Sequence, residues 1–219
     1  MPINIIIHKG EKMKNTKKRI CLLLCIVALI ASAMPVQAAS KASQAKKAYN
    51  SFLSQKTVNW NSFKINSDKL NFHLLDINGD KIPELYIYAG VPNSMGPKKI
   101  YEFYNGKMRE FRSYGRTDFY KYYPSKKVIV DYVGVKFYNT YVYYSVKPGK
   151  EAIPKISKGT YKDGPMTYNK WVNGEWKQIS KSSFDKELKK LIGNAKGYRV
   201  PEFNQLHKNT KANRLKYLR

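Results

Sequence analysis

Cysteine is almost absent from this chain. Of 219 residues only Cys21 and Cys25 carry a thiol, and both fall in an apolar N-terminal run. Everything beyond that run therefore lacks a disulfide, a thiolate metal ligand and a cysteine nucleophile. Acids are scarce too, with 15 Asp and Glu against 41 Lys and Arg and a formal net charge of +26. Histidine occurs three times, at His8, His73 and His207, without the HExxH spacing of a zinc hydrolase. No GxSxG elbow and no glycine-rich phosphate loop is present, so the usual serine-hydrolase and nucleotide-binding signatures are missing. Long hydrophobic runs are also lacking. The longest, Ile20 to Met34, has 15 residues, short of the roughly 20 needed to cross a bilayer, and no membrane span is expected in the remainder.

That run follows a basic segment, Lys12 to Arg19, and precedes the small residues around Val36-Gln37-Ala38. The order reads as a secretory signal peptide cut after Ala38, with an uncleaved signal anchor as the alternative. The residues before Met13 add nothing such a signal needs, so Met13 competes with Met1 as the start. Leu24 precedes Cys25 in mid-run, which argues against lipoprotein processing. The expected organisation is a removed segment, 1–38, and one secreted domain, 39–219, extracellular or wall-associated. A domain of this length buries roughly 70% of its unfolded surface and needs no disulfide staple.

Six of the cations and one acid precede residue 39, which leaves 35 Lys and Arg against 14 Asp and Glu. A field of that size attracts polyanions, whether wall polymers, anionic lipid surfaces or, non-specifically, nucleic acid. The alternative is a dispersed, solvated lysine surface, since no block of five or six like charges occurs. The other excess is aromatic: 18 Tyr, 9 Phe and 3 Trp, all beyond residue 38. Such residues suit half-buried strands, and Tyr and Trp with one wet edge also suit sugar rings.

The pattern along the chain predicts an α+β fold, a mainly antiparallel sheet of hairpins flanked by an N-terminal and a C-terminal helix. Ala45, Ala48, Tyr49, Phe52 and Leu53 recur at helical spacing within Ser43 to Ser54. Strands are expected at Leu70 to Leu75, Leu85 to Tyr88, Lys99 to Tyr104, Lys107 to Phe111, Val128 to Val135, Tyr138 to Val146, Tyr168 to Val172 and Glu175 to Ile179. Asn105-Gly106 and Asn173-Gly174 are two-residue hairpin turns, and Pro148-Gly149 is a type II turn pair. Ser182 or Ser183 caps a last helix bearing Phe184, Leu188, Leu191 and Ile192, stopped by Gly193-Asn194. A basic tail from about Lys208 either docks through Leu215, Tyr217 and Leu218 or stands free as a polyanion-binding arm.

Between the first two strands lies Asp76 to Glu84, DINGDKIPE. Asp76, Asn78, Asp80 and Glu84 occupy its first, third, fifth and ninth places, and the carbonyl of Ile82 can fill a gap. Alternate inward oxygens on a short loop suit one hard cation, and calcium accepts irregular geometry with about 6–8 oxygens. The other reading is that the same side chains brace a turn. An EF-hand is excluded because its twelfth place, which needs a bidentate acid, is Ile87, and the sixth place, usually glycine, is Lys81.

The run DINGDKIPEL resembles the calcium loop of the FG-GAP and VCBS repeat families, and it is similar to loops in secreted proteins of Gram-positive bacteria that follow an N-terminal helix. The resemblance implies Asp76, Asn78, Asp80 and Glu84 as side-chain ligands and Ile82 as a carbonyl ligand. A single loop in a chain of this length does not imply the multi-bladed propeller of those repeats.

Two functional readings follow. The first is a secreted, non-enzymatic, calcium-stabilised domain acting at or near a bacterial cell surface and holding an anionic or glycan polymer. The second is an extracellular hydrolase of nuclease or glycosidase type with His73 or His207 as general base. Trp171 and Trp176, on either side of a hairpin turn, loosely resemble a choline-binding hairpin; a packed cross-strand pair is the alternative.

Overall fold

The computed structural model describes residues 40–60, 63–90, 96–115, 117–162 and 164–219; the expected signal segment, 1–38, lies outside them. A helix, α1 (40–53), is followed by the hairpin β1 (Thr57–Trp60) and β2 (Phe63–Asn66). Next come β3 (Leu70–Leu75), β4 (Glu84–Ala89), β5 (Lys98–Tyr104) and β6 (Lys107–Tyr114). The chain continues through β7 (Thr117–Tyr123), β8 (Val128–Val135), β9 (Tyr138–Ser145), β10 (Ile153–Tyr161), β11 (Thr167–Val172) and β12 (Glu175–Gln178). It closes with α2 (Lys181–Leu191), β13 (Tyr198–Arg199), β14 (His207–Lys208) and α3 (Lys211–Tyr217). The fold is α+β and mainly antiparallel, as the sequence predicts.

Apart from the β1–β2 hairpin, the strands form two sheets. One has five strands in the order β14-β3-β4-β5-β6, the other seven in the order β12-β11-β10-β9-β8-β7-β13. Period-2 alternation decides which face each residue takes. Leu70 and Phe72 on β3 and Leu85, Ile87 and Ala89 on β4 face α1, where they meet Ala45, Tyr49 and Leu53. Leu75, Tyr86 and Ile100 point the other way and meet Phe119 and Ile129 of the seven-stranded sheet and Val146, just after β9. On that sheet's far side Val128, Val130, Tyr143 and Ile156 pack against Phe184 of α2. The layers therefore run α1, five-stranded sheet, seven-stranded sheet, α2. β4, covered on both sides, is buried along all six residues, which is why it reads as a continuous apolar run instead of an alternating one.

Both Asn-Gly turns adopt the expected positive φ, +49° and +76° at Asn105-Gly106 and +52° and +89° at Asn173-Gly174. Gly149 has φ +73°, and Lys150 N donates to Lys147 O at 3.1 Å to close the Pro148-Gly149 turn. Three features differ from expectation, and a fourth decides between two readings. The stretch before β3, read as a polar connection, holds the β1–β2 hairpin, because Val58 and Trp60 are recruited into the α1 core. β7 and β10 were not foreseen; each carries a bulge or register shift that breaks its alternation. The cap of α2 is Ser180, whose Oγ accepts from Ser183 N at 3.1 Å, so the helix begins before Ser182. The C-terminal tail docks: Leu218 is 3% exposed in the α1 core, while Leu215 stays 40% exposed. Asn209 Nδ2 donates to Leu53 O and Ser67 O, both at 2.8 Å.

Polar contacts cross between the sheets. Arg112 of β6 is ion-paired with Asp131 of β8, a residue only 2% exposed. Tyr114 Oη donates to Asp131 Oδ1 at 3.0 Å, and the Tyr144 ring lies 4.2 Å from the Arg112 guanidinium. Burial pushes the Asp131 carboxyl up to about 6, against the opposing pull of Arg112 and the two hydrogen bonds. On β3, His73 stacks on His207 of β14 at 5.2 Å, and His207 stacks on Tyr217 of α3 at 3.6 Å. Nδ1 of His73 is buried without a hydrogen-bond partner.

Two outcomes are expected. Asp131→Ala leaves a largely buried guanidinium unpaired and should cost about 3 kcal/mol in urea unfolding, whereas replacing Arg112, Asp131 and Tyr114 together by Met, Leu and Phe, so that no buried donor is left without an acceptor, should recover most of the loss. Both histidines titrate below the usual range, His73 through burial and then His207, partly offset by the Gln205 backbone, and His207 through burial and then Lys216. A depressed folded value means the neutral rings are favoured. Their contribution is complete above the unfolded value of about 6.5 and is lost as the pH falls through the lower folded values. The buried carboxyls of Asp131 and Glu84, raised above their usual range, act in the opposite sense over the same fall in pH, so the histidine part is read as a difference: from about pH 7 to about pH 5 the melting temperature of His207→Phe should move in the stabilising direction relative to that of the wild type.

Candidate functional site

The β3–β4 connection is held in shape by its own side chains. β3 ends at Leu75 opposite Glu84, the first residue of β4, so the loop must return the chain within one strand spacing. Asn78 Oδ1 accepts from Asp80 N at 2.9 Å, and Asp80 Oδ1 accepts from Ile82 N at 2.8 Å. These successive turns are the local preference of Asn and Asp. Gly79 and Lys81 take φ +71° and +67°, so the sixth place does adopt the left-handed conformation despite its side chain. A Cβ at Gly79 would lie 2.8 Å from the Pro124 carbonyl oxygen, which seats the loop against the 3-10 turn Pro124–Lys126.

Glu84 turns inward and is 4% exposed. Its Oε2 accepts from Ile77 N and its Oε1 from Asn78 Nδ2, both at 2.7 Å. Burial, reinforced by Asp80 and Asp76, raises its carboxyl well above the usual range against the Ile77 hydrogen bond. Asp80 is also raised, first by burial and then by Asp76, while Ile82 N, Asn78 and Lys127 oppose the shift. Oδ1 of Asp76 is buried with no hydrogen-bond partner. Asp76, Asn78, Asp80 and Glu84 thus gather in one loop, and Ile82 takes part through its N–H.

The donor chemistry fits a hard cation, because the loop concentrates carboxylate and amide oxygens and one buried carboxylate oxygen lacks a donor. The hydrogen bonds just described also satisfy the turn-bracing role, and each carboxylate oxygen retains further lone pairs. Among the described residues, no group of three or more His, Cys, Asp and Glu side chains converges in metal-binding geometry, so an ion here would need the Asn78 amide and the Ile82 carbonyl beside the carboxylates.

Two residues supporting the loop come from afar in sequence. Tyr49 of α1 donates its hydroxyl to Pro83 O at 2.9 Å; burial, then Glu84 and Glu102, raise its pKa. Glu102 of β5 is buried beside Ile77, Asn78 and Glu84 around a void of about 10 Å³, the scale of a single water. It is ion-paired with Arg109 and accepts from Gly149 N at 3.1 Å. A sequence signal for Glu102 did exist: it lies two residues after the buried Ile100 and so shares its inward face.

The histidines sit elsewhere. His73 and His207 face each other, with Phe72, Tyr217, Lys216 and the Gln205 backbone around them. Neither is ion-paired with a carboxylate among the described residues. Trp171 and Trp176 pair directly across β11 and β12, ring centroids 5.1 Å apart and edge to face.

Gly79→Ala should lower stability by more than the roughly 1 kcal/mol that positive φ alone costs a side chain, because the methyl meets the Pro124 carbonyl. Gly106→Ala, at a similar φ but with nothing within 4 Å of the added Cβ, should show only the φ cost. Denaturant melts of the two variants give the comparison.

No protein-family model matches the chain, and no curated protein matches it. A solved structure described as that of a Xanthomonas Type IV Secretion System related protein is similar at 14% identity with a TM-score of 0.38, over 50% of this chain and 57% of that one.

Proposed function

We propose that this is a secreted, non-enzymatic domain, stabilised by calcium at the β3–β4 loop, that acts at or near a bacterial cell surface by holding an anionic or glycan polymer. The observation that carries this reading is where the chain places its few acids. Glu102, Glu110, Asp118, Asp131, Asp185 and Glu187 are ion-paired, and Asp76, Asp80 and Glu84 are gathered in one loop. Nine of the 14 acids beyond residue 38 are thereby committed internally, while the 35 Lys and Arg greatly outnumber the cations in those pairs. The outward field is positive, which favours polyanion capture. Among the described residues no helix is long and apolar enough to cross a membrane.

Asp76, Asn78, Asp80 and Glu84, with the carbonyl of Ile82, would hold the ion. A hard cation bound there supplies positive charge to three crowded carboxylates and joins the two strand ends. The chain's own part is to preset the oxygens: Ile77 N fixes Glu84, Ile82 N fixes Asp80, and Tyr49 anchors the Pro83 carbonyl to α1.

Thermal melts in chelator and in calcium test the first half. At a hundredfold excess over Kd, binding should add about 2.7 kcal/mol, a rise of roughly 5–10 °C for a chain of this size. Asp80→Ala should lose the rise, and an unshifted wild type would reduce the loop to a braced turn. Retention on an anionic polymer that falls steeply between about 50 and 200 mM salt tests the second half; no retention at the lower salt would overturn it.

A further inference from the structure

The outer face of the seven-stranded sheet is only partly covered. α2 lies toward the β10–β11 side, where Phe184 packs on Tyr143 and Tyr168. Toward β7 the same face carries a cluster of partly exposed rings, Tyr120, Tyr132 and Tyr141, with centroids 5.0 to 6.2 Å apart. Strand register assembles it. Tyr132 and Tyr141 are direct cross-strand partners, Tyr141 is in turn opposite Lys158, and Tyr120 enters at the bulge between Phe119 and Lys121.

Cations surround these rings. Arg199 stands 4.0 Å from the Tyr120 centroid, Lys158 5.8 Å from Tyr141, and Lys121 5.1 Å from Tyr123. A groove of about 250 Å³ runs between Tyr120, Lys121, Tyr141, Tyr143 and Lys158, and among the described residues no Asp or Glu lines it; Tyr132 and Arg199 line the neighbouring cavity, which shares Tyr120 and also holds Asp118 and Glu202. Asp118, opposite Tyr132, is engaged by Lys98. Aromatic surface and uncompensated positive charge therefore coincide at one shallow concavity.

Resting on the polymer-binding reading above, we infer that this tyrosine–cation groove binds an anionic polysaccharide, a chain whose sugar rings carry carboxylate or phosphate groups. The charge calls for an anion at Lys121 and Lys158, the two cations that line the groove, with Arg199 beside Tyr120 at its border. Ring geometry selects the sugar. The three tyrosines are tilted 36° to 65° to one another, and Arg199 covers one face of Tyr120. Planar bases bind single-stranded nucleic-acid proteins by lying flat on open aromatic faces, and tilted rings do not offer a row of them. Puckered sugars accept tilted rings and use the phenol hydroxyls as hydrogen-bond partners.

The test measures the affinity of the full chain, at about 50 mM salt, for polygalacturonate (rings and carboxylates), a phosphorylated dextran (rings and phosphates), dextran (rings alone), polyphosphate (charge alone) and oligo(dT) (planar bases). Tyr141→Thr keeps a good strand former and removes the ring; Lys158→Glu and Lys121→Glu reverse charge in the groove without touching the core; Lys189→Glu makes the same change in net charge on α2, away from it. Each variant's melting temperature is recorded beside its affinity, and the Lys variants decide the matter if Tyr141→Thr melts early. The expected result is that one or both anionic polysaccharides, the choice identifying carboxylate or phosphate, bind at least tenfold tighter than dextran and polyphosphate. The groove variants should weaken that binding about tenfold, with Lys189→Glu within about twofold. If the wild type holds the polysaccharide and the groove variants hold it equally well, this site is wrong and the broader polymer reading stands. If the wild type holds none of the five probes, both fail. If oligo(dT) binds tighter than either anionic polysaccharide and is the probe the groove variants lose, the occupant is single-stranded nucleic acid and the inference is overturned.

Discussion

Burial of the β3–β4 hairpin on both faces constrains the rest of the molecule. α1 covers one side and the seven-stranded sheet the other, so neither strand has a wet face on which to place a polar error. Polar demand is displaced to the hairpin's end, where the backbone must reverse next to two apolar cores. Ile77 N and Ile82 N find side-chain acceptors within the loop instead of water. The same enclosure that buries β4 along its whole length makes its first residue, Glu84, a buried carboxylate. Hydrophobic layering and carboxylate crowding are two results of one packing arrangement.

A similar division governs charge. Acids lie mostly inside or in pairs, and the ion pairs that join the sheets are local and short-ranged. Arg112 with Asp131 and Lys98 with Asp118 each link the five-stranded to the seven-stranded sheet. Neither compensates the lysines spread over the outer surface. Matching ions between the sheets serves the alignment of the layers, and the unmatched ones outside set what the protein attracts.

The sequence showed most of the hairpins because their signals are local. Asn105-Gly106 and Asn173-Gly174 need only two residues to declare a turn, and Val128 to Val135 needs only its own alternation and β-branched content. β7 and β10 were concealed by their irregularities, and the β1–β2 hairpin by a polar composition whose buried members, Val58 and Trp60, matter only once α1 is in place. At the loop, the oxygen spacing was legible, and so was the usual demand for glycine at the place that Lys81 occupies. Tyr49 reads in the sequence as an ordinary helix-face aromatic, and Glu102 becomes part of the site only when β5 pairs with β4, so neither declares its place at the loop. The tyrosine groove was visible as an excess of aromatics and lysines, but their assembly on one face depends on the register of four strands and a bulge.

The final residues complete the first core. Asn209 bonds the backbone at Leu53 and at Ser67, and Leu218 fills space beside α1, so the two ends of the described chain are stitched into the same layer. Contacts spanning 156 and 142 residues raise the mean sequence separation that slows folding. The consequence is temporal. α1 and the five-stranded sheet reach their final packing only once the segment from Asn209 to Leu218 is in place, so that segment acts as the latch of the first layer.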